Sequence, residues 1–400
     1  MDTSYRRAKG ACYFSYISGA AVFCLPALLF STFRELYGIS YTLLGTLVLI
    51  NFITQLAMDL TFSFFAKYFN VEKTVCLMPL ITSVGFVLYG GLPLLFPKYA
   101  YAGLAVGTVV FSVGTGLSEV FLSPLVAAIP SKNPDREMSR LHSLYACGVV
   151  FAIGVSSVYL LLLGKEAWNY LAFFFAALPV ITFFIFRGAK LPPLVTAAPS
   201  RGKRGGVGFL LCVITIFFGA AAELVMTNWA SGYIEKATGI PKFMGDVLGM
   251  VSFALLLGAG RVMYAKFGRN IQRTLFWGMV GSAVCYVVVG ISSSVALNIA
   301  ACALTGLFTS MLWPGTLSYM EEKLPALGVT AYAMMAAGGD LGASIAPQLM
   351  GAVVDAVSAA TGSDALGMKT GMLVLSSFPA LGALTLFIAK RYFCEKRKKN

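Results

Sequence analysis

Long apolar runs separated by short polar segments dominate the pattern of the 400-residue chain. A helix needs about 20 apolar residues to cross a bilayer. Runs of that kind can be drawn at residues 10–31, 40–66, 73–96, 100–129, 139–163, 168–187, 207–235, 243–266, 272–292, 295–320, 328–356 and 366–391. The pattern therefore predicts an all-α integral membrane protein with twelve transmembrane helices, numbered here as spans 1 to 12.

A polar stretch interrupts the apolar pattern near the middle of the chain. Residues 188–206 contain three prolines and several basic residues, which are unsuited to hydrocarbon. We expect this stretch to be a cytoplasmic linker between two pseudo-symmetric six-helix halves, at residues 1–187 and 207–391. A basic cytoplasmic tail at residues 392–400 completes the predicted organisation.

A short internal repeat favours two like halves. The glycine, two leucines and proline at Gly116, Leu117, Leu122 and Pro124 recur at Gly306, Leu307, Leu312 and Pro314, 190 positions later. Paired repeats are typical of transporters, whose solute site lies between the halves near the middle of the membrane. We therefore expect one solute site to which both halves contribute.

Composition and charge narrow the class of protein. Hydrophobic residues make up 58% of the chain and charged residues 12%, against about 25% charged residues in soluble domains. The 30 Lys and Arg concentrate at alternate loops, which is the positive-inside pattern and argues against a nucleic-acid partner. This pattern predicts a multi-pass protein of the plasma (inner) membrane with both termini in the cytoplasm.

Metal and cofactor chemistry is not indicated by the sequence. The chain has one histidine and no paired Cys or His spacing, so we expect no metal site. No Gly-x-x-x-x-Gly-Lys nucleotide loop is present, and we expect no bound cofactor. Ion coupling is the remaining energy source, and we expect a transporter and not an enzyme.

Glu119 in span 4 is the first candidate functional residue. An ionisable side chain inside a membrane helix is costly and is functional by default, so we expect Glu119 to carry the coupled proton. His142, near the start of span 5, titrates near neutral pH and is the candidate relay. A hydrogen bond that pins span 4 and a solvated or capping histidine are the structural alternatives.

Polar side chains on spans 2, 7 and 11 are the candidate solute-binding residues. Residues four apart share one face of a helix, which places polar stripes on spans 2 and 11. The candidates are Asn51 and Gln55 on span 2, Glu223, Asn228 and Trp229 on span 7, and Asp340, Ser344 and Gln348 on span 11. Hydrogen bonding between helices is the alternative for the span 2 pair, and the interfacial aromatic belt is the alternative for Trp229.

Four charged residues toward the predicted cytoplasmic ends of spans 2 and 8 are candidates for ion pairs. They are Asp59, Arg261, Lys266 and Arg269. Charged groups in membrane helices pair with one another or extend toward the interface. We therefore expect gating or structural ion pairs at these positions.

Several short motifs point to one family. Twelve predicted spans in two halves, a basic central linker and the Phe-Gly-Arg sequence at residues 267–269 resemble the major facilitator superfamily. Glu119 followed by Ser-Pro, the segment at residues 141–145, and Ala-Glu at residues 222–223 with Trp229 are similar to the fucose:proton symporter group. This resemblance implies alternating access, a span 4 glutamate in proton coupling, and a monomer.

Three functions agree with the sequence. The first is transport of a small polar solute, with a sugar favoured by the resemblance, coupled to protons. The second is export of amphipathic or drug-like compounds, which the 31 Phe and 16 Met would bind through adaptable apolar packing. The third is a membrane receptor that keeps the fold without transporting a solute.

Overall fold

The computed structural model describes residues 5–65, 68–131, 134–192, 206–324 and 329–399. Every regular element in these ranges is helical. Within the same ranges, twelve helical segments are long and apolar enough to cross a membrane. The prediction of an all-α protein with twelve transmembrane helices is therefore confirmed.

The chain forms two compact units. The first comprises residues 1–39 and 50–198, and the second comprises residues 40–49 and 199–400. The division near residue 198 falls inside the predicted linker at residues 188–206. Residues 40–49, which begin span 2, belong to the second unit, whereas the sequence pattern assigned all of span 2 to the first half.

The first unit is built from long helices joined by short turns. Its helices are Arg6–Leu28, Phe30–Tyr37, Tyr41–Phe65, Val71–Leu95, Ala100–Ala128, Pro134–Leu163 and Trp168–Arg187. Of these, Tyr41–Phe65 starts in the second unit and continues into the first. The helix of span 4, Ala100–Ala128, contains Pro124 without a break.

Glycines allow spans 3 and 4 to approach closely inside the first unit. A Cβ added at Gly85 would lie 2.2 Å from the Phe111 backbone nitrogen, and one added at Gly107 would lie 2.5 Å from Tyr89 Cα. Backbone atoms cannot move aside as a flexible side chain can, so only glycine fits these two contacts. This close packing fixes the position of the helix that carries Glu119.

The second unit has more irregular helices. They are Gly206–Thr238, Lys242–Gly245, Ser252–Phe267, Ile271–Ile291, Val295–Thr309, Leu312–Lys323, Val329–Thr361, Asp364–Leu375 and Ser377–Lys399. A π-helical turn, Asp246–Val251, connects the two helical parts of span 8. Span 10 is interrupted between Thr309 and Leu312, so the sequence repeat around Pro124 and Pro314 gives a continuous helix in one unit and a broken one in the other.

Matching asparagines begin spans 3 and 9. Asn70 Oδ1 accepts a hydrogen bond from the Lys73 backbone N–H at 3.0 Å. Asn270 Oδ1 accepts one from the Arg273 backbone N–H at 2.9 Å. Because asparagine satisfies a free N–H group of the first turn, it is a strong helix N-cap. The third helix of each half therefore starts in the same way.

Candidate functional site

Glu119 lies on the helix Ala100–Ala128 and is exposed. Within the described residues, its carboxylate has no hydrogen bond and no ion pair. On the same face one turn later, Ser123 Oγ lies 3.0 Å from the hydroxyl of Tyr16 on span 1. The Glu119 carboxylate is within electrostatic range of that tyrosine. A carboxylate in a membrane helix avoids lipid, so its exposed surface belongs on a cavity or water path.

Spans 2 and 4 cross at Gly116 in the first unit. A Cβ added at Gly116 would lie 3.0 Å from Met58 Cβ and 3.2 Å from Gln55 Cα. Asp59 follows Gln55 by one helical turn, and Glu119 follows Gly116 by nearly one turn. The crossing therefore brings Asp59 and Glu119 within electrostatic range of each other.

Asn51 and Gln55 form a buried polar network above this crossing. Gln55 Nε2 donates to Asn51 Oδ1 at 2.9 Å, and Ser112 Oγ on span 4 donates to the same oxygen at 2.6 Å. The exposed fractions of Asn51 and Gln55 are 7% and 1%. The Ser112 contact joins spans 4 and 2 and is interhelical hydrogen bonding, which was the structural alternative for the pair. Solute binding by Asn51 and Gln55 stays a prediction.

The predicted proton relay is His142. The side chain of His142 is not among the described residues. Its assignment as a relay to Glu119 therefore stays a prediction from the sequence.

Glu223 and Arg261 come together inside the second unit. Arg261 Nη2 lies 3.7 Å from Glu223 Oε1, and Arg261 Nε donates to the Ser310 carbonyl at 3.1 Å, where span 10 is interrupted. The second carboxylate oxygen of Glu223 is buried without a hydrogen-bond partner in the described part of the chain. The loose pair leaves hydrogen-bonding capacity on both side chains, which a polar solute could use.

The other span 7 candidates are occupied by contacts within the second unit. Asn228 Nδ2 donates to the Leu224 carbonyl of its own helix at 2.8 Å. Trp229 is 1% exposed, and its Nε1 donates to the Pro347 carbonyl at 3.2 Å. Its ring packs 5.9 Å from that of Tyr41. In this conformation Trp229 therefore presents almost no surface to a solute.

The polar stripe on span 11 is divided among different environments. Asp340 is buried, and Ser344 is fully buried and donates to the Leu341 carbonyl at 2.9 Å. Gln348 is half-buried, and its Oε1 accepts from Thr46 Oγ1 at 3.0 Å. The hydrogen bonds of Ser344 and Gln348 thus go to groups other than the span 7 candidates Glu223 and Asn228.

The expected ion pairs differ from those in the structure. Arg261 does have a carboxylate partner, but that partner is Glu223, which the sequence suggested as a solute ligand. Asp59, Lys266 and Arg269 have no ion pair among the described residues. Lys266 lies at the exposed end of its helix and Arg269 in the exposed turn that follows, where solvent satisfies a charge without a partner. Asp59 lies within electrostatic range of Glu119.

Sequence reasoning missed a charged cluster at the start of spans 1 and 5. Glu137 is buried and forms an ion pair with Lys9 and another with Arg140 at 3.4 Å. The Tyr13 hydroxyl donates to Glu137 Oε2 at 2.5 Å. The Lys9 ammonium, and then the Tyr13 hydroxyl, hold the pKa of Glu137 below its ordinary value. The spacing of Lys9 and Tyr13, which share a helix face, was the available signal.

The comparisons agree with the fold. The model of the Major Facilitator Superfamily matches residues 12–347. A bacterial homologue of the human lysosomal transporter Spinster, in an inward-facing and occupied conformation, is similar with a TM-score of 0.79 at 14% identity, covering 99% of each chain. No curated protein sequence matches the chain.

Two further solved structures are similar. A D-xylose-proton symporter has a TM-score of 0.78 at 14% identity, covering 95% of this chain and 97% of its own. The nucleoside transporter NupG has a TM-score of 0.69 at 14% identity, covering 98% of this chain and 100% of its own. At these identities the likeness concerns the fold alone.

Proposed function

Because the chain belongs to the major facilitator superfamily, we propose that it is a secondary transporter that couples the movement of a small polar solute to protons. A sugar is the first candidate for the solute. The cycle is alternating access, in which the site opens to one side of the membrane at a time. The chain itself supplies the solute-binding and proton-binding groups.

One observation carries the proton coupling. Glu119 lies inside a membrane-crossing helix, is exposed, and has neither a hydrogen bond nor an ion pair within the described residues. A carboxylate that only joined two helices would have a partner on the neighbouring helix. An unpaired, exposed carboxylate is instead available to bind and release a proton.

The chemistry of the second unit favours a polar solute. Glu223 and Arg261 offer a carboxylate acceptor and a guanidinium donor at 3.7 Å from each other, an arrangement suited to hydroxyl groups. The D-xylose-proton symporter, which is named for a sugar and a proton, has a similar fold. The nucleoside transporter has a solute that also contains a sugar ring.

The proposal also covers the membrane location, the orientation and the partners of the protein. The positive-inside distribution of Lys and Arg supports a plasma (inner) membrane protein with both termini in the cytoplasm. The family resemblance supports a functional monomer, with the solute, protons and the lipid bilayer as its partners.

Uptake by purified protein in liposomes tests the proposed function. The solutes would be radiolabelled L-fucose, D-xylose, D-glucose and uridine, each measured with and without an inward proton gradient. We expect at least one of them to accumulate above its external concentration only when the gradient is imposed, and a protonophore to abolish that accumulation. Protein-free liposomes under the same gradient are the control.

Two outcomes would contradict the proposal. Accumulation that is insensitive to the proton gradient would exclude proton coupling. If no solute of the panel enters and a lipophilic cation such as ethidium is expelled instead, the protein is an exporter of amphipathic compounds.

A further inference from the structure

We propose that Asp59 and Glu119 form one proton-binding site, in which a single proton binds to one or the other of the two carboxylates. This inference rests on the proposed function, and it assigns to Asp59 a role other than the gating ion pair that its sequence position suggested. Asp59 and Glu119 are the two carboxylic acids within the predicted ranges of spans 1 to 6.

The helix crossing at Gly116 is the geometric basis of the pair. Because glycine has no side chain, span 4 reaches Met58 and Gln55 of span 2 at the distances of direct contact. Asp59 is adjacent to Met58 in the chain, and Glu119 lies three positions after Gly116. Phe62 and Phe121 then pack at 5.2 Å between ring centroids, which keeps the two helices together beyond the carboxylates.

The groups that face the pair are neutral or already engaged. Span 1 contributes the Tyr16 hydroxyl, which is hydrogen-bonded with Ser123. Gln55, one turn from Asp59, donates to Asn51. Neither carboxylate has a Lys or Arg partner among the described residues.

Charged and titratable groups on the other neighbouring helices have other partners. On the helix of span 5, Glu137 and Arg140 pair with each other, and Glu137 also pairs with Lys9 of span 1. On span 3, the electrostatic interaction of Cys76 is with Glu72, and Tyr89 packs against Phe111. The His142 side chain lies outside the description.

Two negative charges close together without a cation are costly in a membrane interior. One proton bound to either carboxylate removes that repulsion, and the other carboxylate stays ionised. Binding forms an O–H bond on one carboxylate oxygen, and release returns the proton to water on the side to which the site is open. The pair thus carries one proton in each cycle.

Infrared spectroscopy of the full-length protein in liposomes tests the pair without any solute. Protonated carboxyl groups have a carbonyl band distinct from that of carboxylates. Subtracting the spectrum of Glu119→Gln from that of the wild type isolates the band of Glu119 across a pH series. Subtracting Asp59→Asn/Glu119→Gln from Asp59→Asn isolates the same band when Asp59 has lost its charge.

We expect the titration midpoint of Glu119 to move toward acid by about one pH unit in the Asp59→Asn background, the order of effect of a neighbouring charge. Asp59→Glu, which keeps the charge, should retain the wild-type midpoint within half that shift. Glu72→Gln, which removes an exposed carboxylate at the start of span 3, is the matched control and should leave the midpoint unchanged.

The proposal of a shared site would be overturned if the titration midpoint of Glu119 were the same in the wild type, in Asp59→Asn and in Glu72→Gln. That failure is distinguishable from failure of the proposed function, since the midpoint is measured without transport. If Glu119→Gln abolishes proton-driven accumulation while the midpoint ignores Asp59, Glu119 alone is the coupling residue. If Asp59→Asn misfolds, Asp59→Ser and Asp59→Ser/Glu119→Gln take the place of the two Asp59 variants in the same subtraction, and the Glu119 midpoint must again move toward acid.

Discussion

Asp355 caps the start of the helix that begins at Tyr41. Its Oδ1 accepts the Tyr41 backbone N–H at 3.0 Å, and its Oδ2 accepts that of Thr42 at 2.6 Å, both within the second unit. The Tyr41 hydroxyl donates to Asp364 Oδ2 at 3.0 Å. The first N–H groups of a helix lack partners in their own helix. Ser40 Oγ accepts that of Leu43 at 3.2 Å, and the carboxylate from span 11 accepts the two that precede it.

Loss of this cap should loosen the start of span 2. In Asp355→Asn one acceptor oxygen becomes an NH2 group, so one of the two N–H groups loses its partner. Loss of an N-cap costs about 0.5–2 kcal/mol. We expect hydrogen exchange of the Tyr41 and Thr42 amides to quicken at least several-fold by mass spectrometry. Asp364→Asn, which removes only the acceptor of the Tyr41 hydroxyl, is the control, and equal exchange in both variants would contradict the cap.

Gly351 should be intolerant of a side chain. A Cβ there would lie 2.2 Å from the Tyr41 carbonyl oxygen and 2.7 Å from its carbonyl carbon. We expect Gly351→Ala to lower the thermal unfolding temperature in detergent. Gly258→Ala is the matched control, since its Cβ would meet nothing within 4 Å, and alanine favours a helix by about 1 kcal/mol over glycine. An unfolding temperature for Gly351→Ala that equals or exceeds the wild-type value would refute the contact.

Glu137 should make stability depend on acid pH. Its pKa is lowered chiefly by the hydrogen bond from Lys9 and then by that from Tyr13. A carboxyl with a depressed folded pKa contributes stability above its unfolded pKa, near 4.5, and loses it as the pH falls through the folded value. Glu137→Gln should therefore lower stability at pH 6 and flatten the loss of stability below about pH 4.5.

Unfolding midpoints between pH 3 and pH 7 measure this effect. Glu72→Gln, which neutralises an exposed glutamate, should follow the wild-type curve. A Glu137→Gln curve parallel to that of the wild type throughout would show that the cluster contributes no pH-dependent stability.

The proposed orientation predicts which residues an impermeant thiol reagent reaches. In a cysteine-free background, Thr361→Cys at the end of the span 11 helix should react from outside intact cells. Arg269→Cys in the turn after span 8 should react only after the membrane is permeabilised. Both positions are exposed, so accessibility reports the side of the membrane. The opposite pattern would reverse the assignment of the termini.

The spans could be predicted because each depends on local composition. A long apolar run forms a membrane helix whatever it packs against. The partners of individual polar side chains could not be predicted, since they depend on crossings between distant segments. The Asp355 cap joins residues more than 300 positions apart. The proximity of Asp59 to Glu119 depends on the close contact of span 4 with span 2 at Gly116.

Local features also limited the sequence interpretation of Trp229. An aromatic residue near the end of a span fits an interfacial belt, a solute platform and a buried contact equally well. Its hydrogen bond to the Pro347 carbonyl depends on how span 11 packs against span 7 in the second unit. No pattern within span 7 shows that contact.

Transport by Glu119→Gln is the most direct measure of proton coupling. Glutamine keeps the size and hydrogen-bonding shape of the side chain but cannot titrate. Once a transported solute of the liposome panel is known, we expect Glu119→Gln to lose proton-driven accumulation of it and to keep exchange of labelled for unlabelled solute. Proton-driven accumulation at the wild-type level in Glu119→Gln would contradict the role of Glu119.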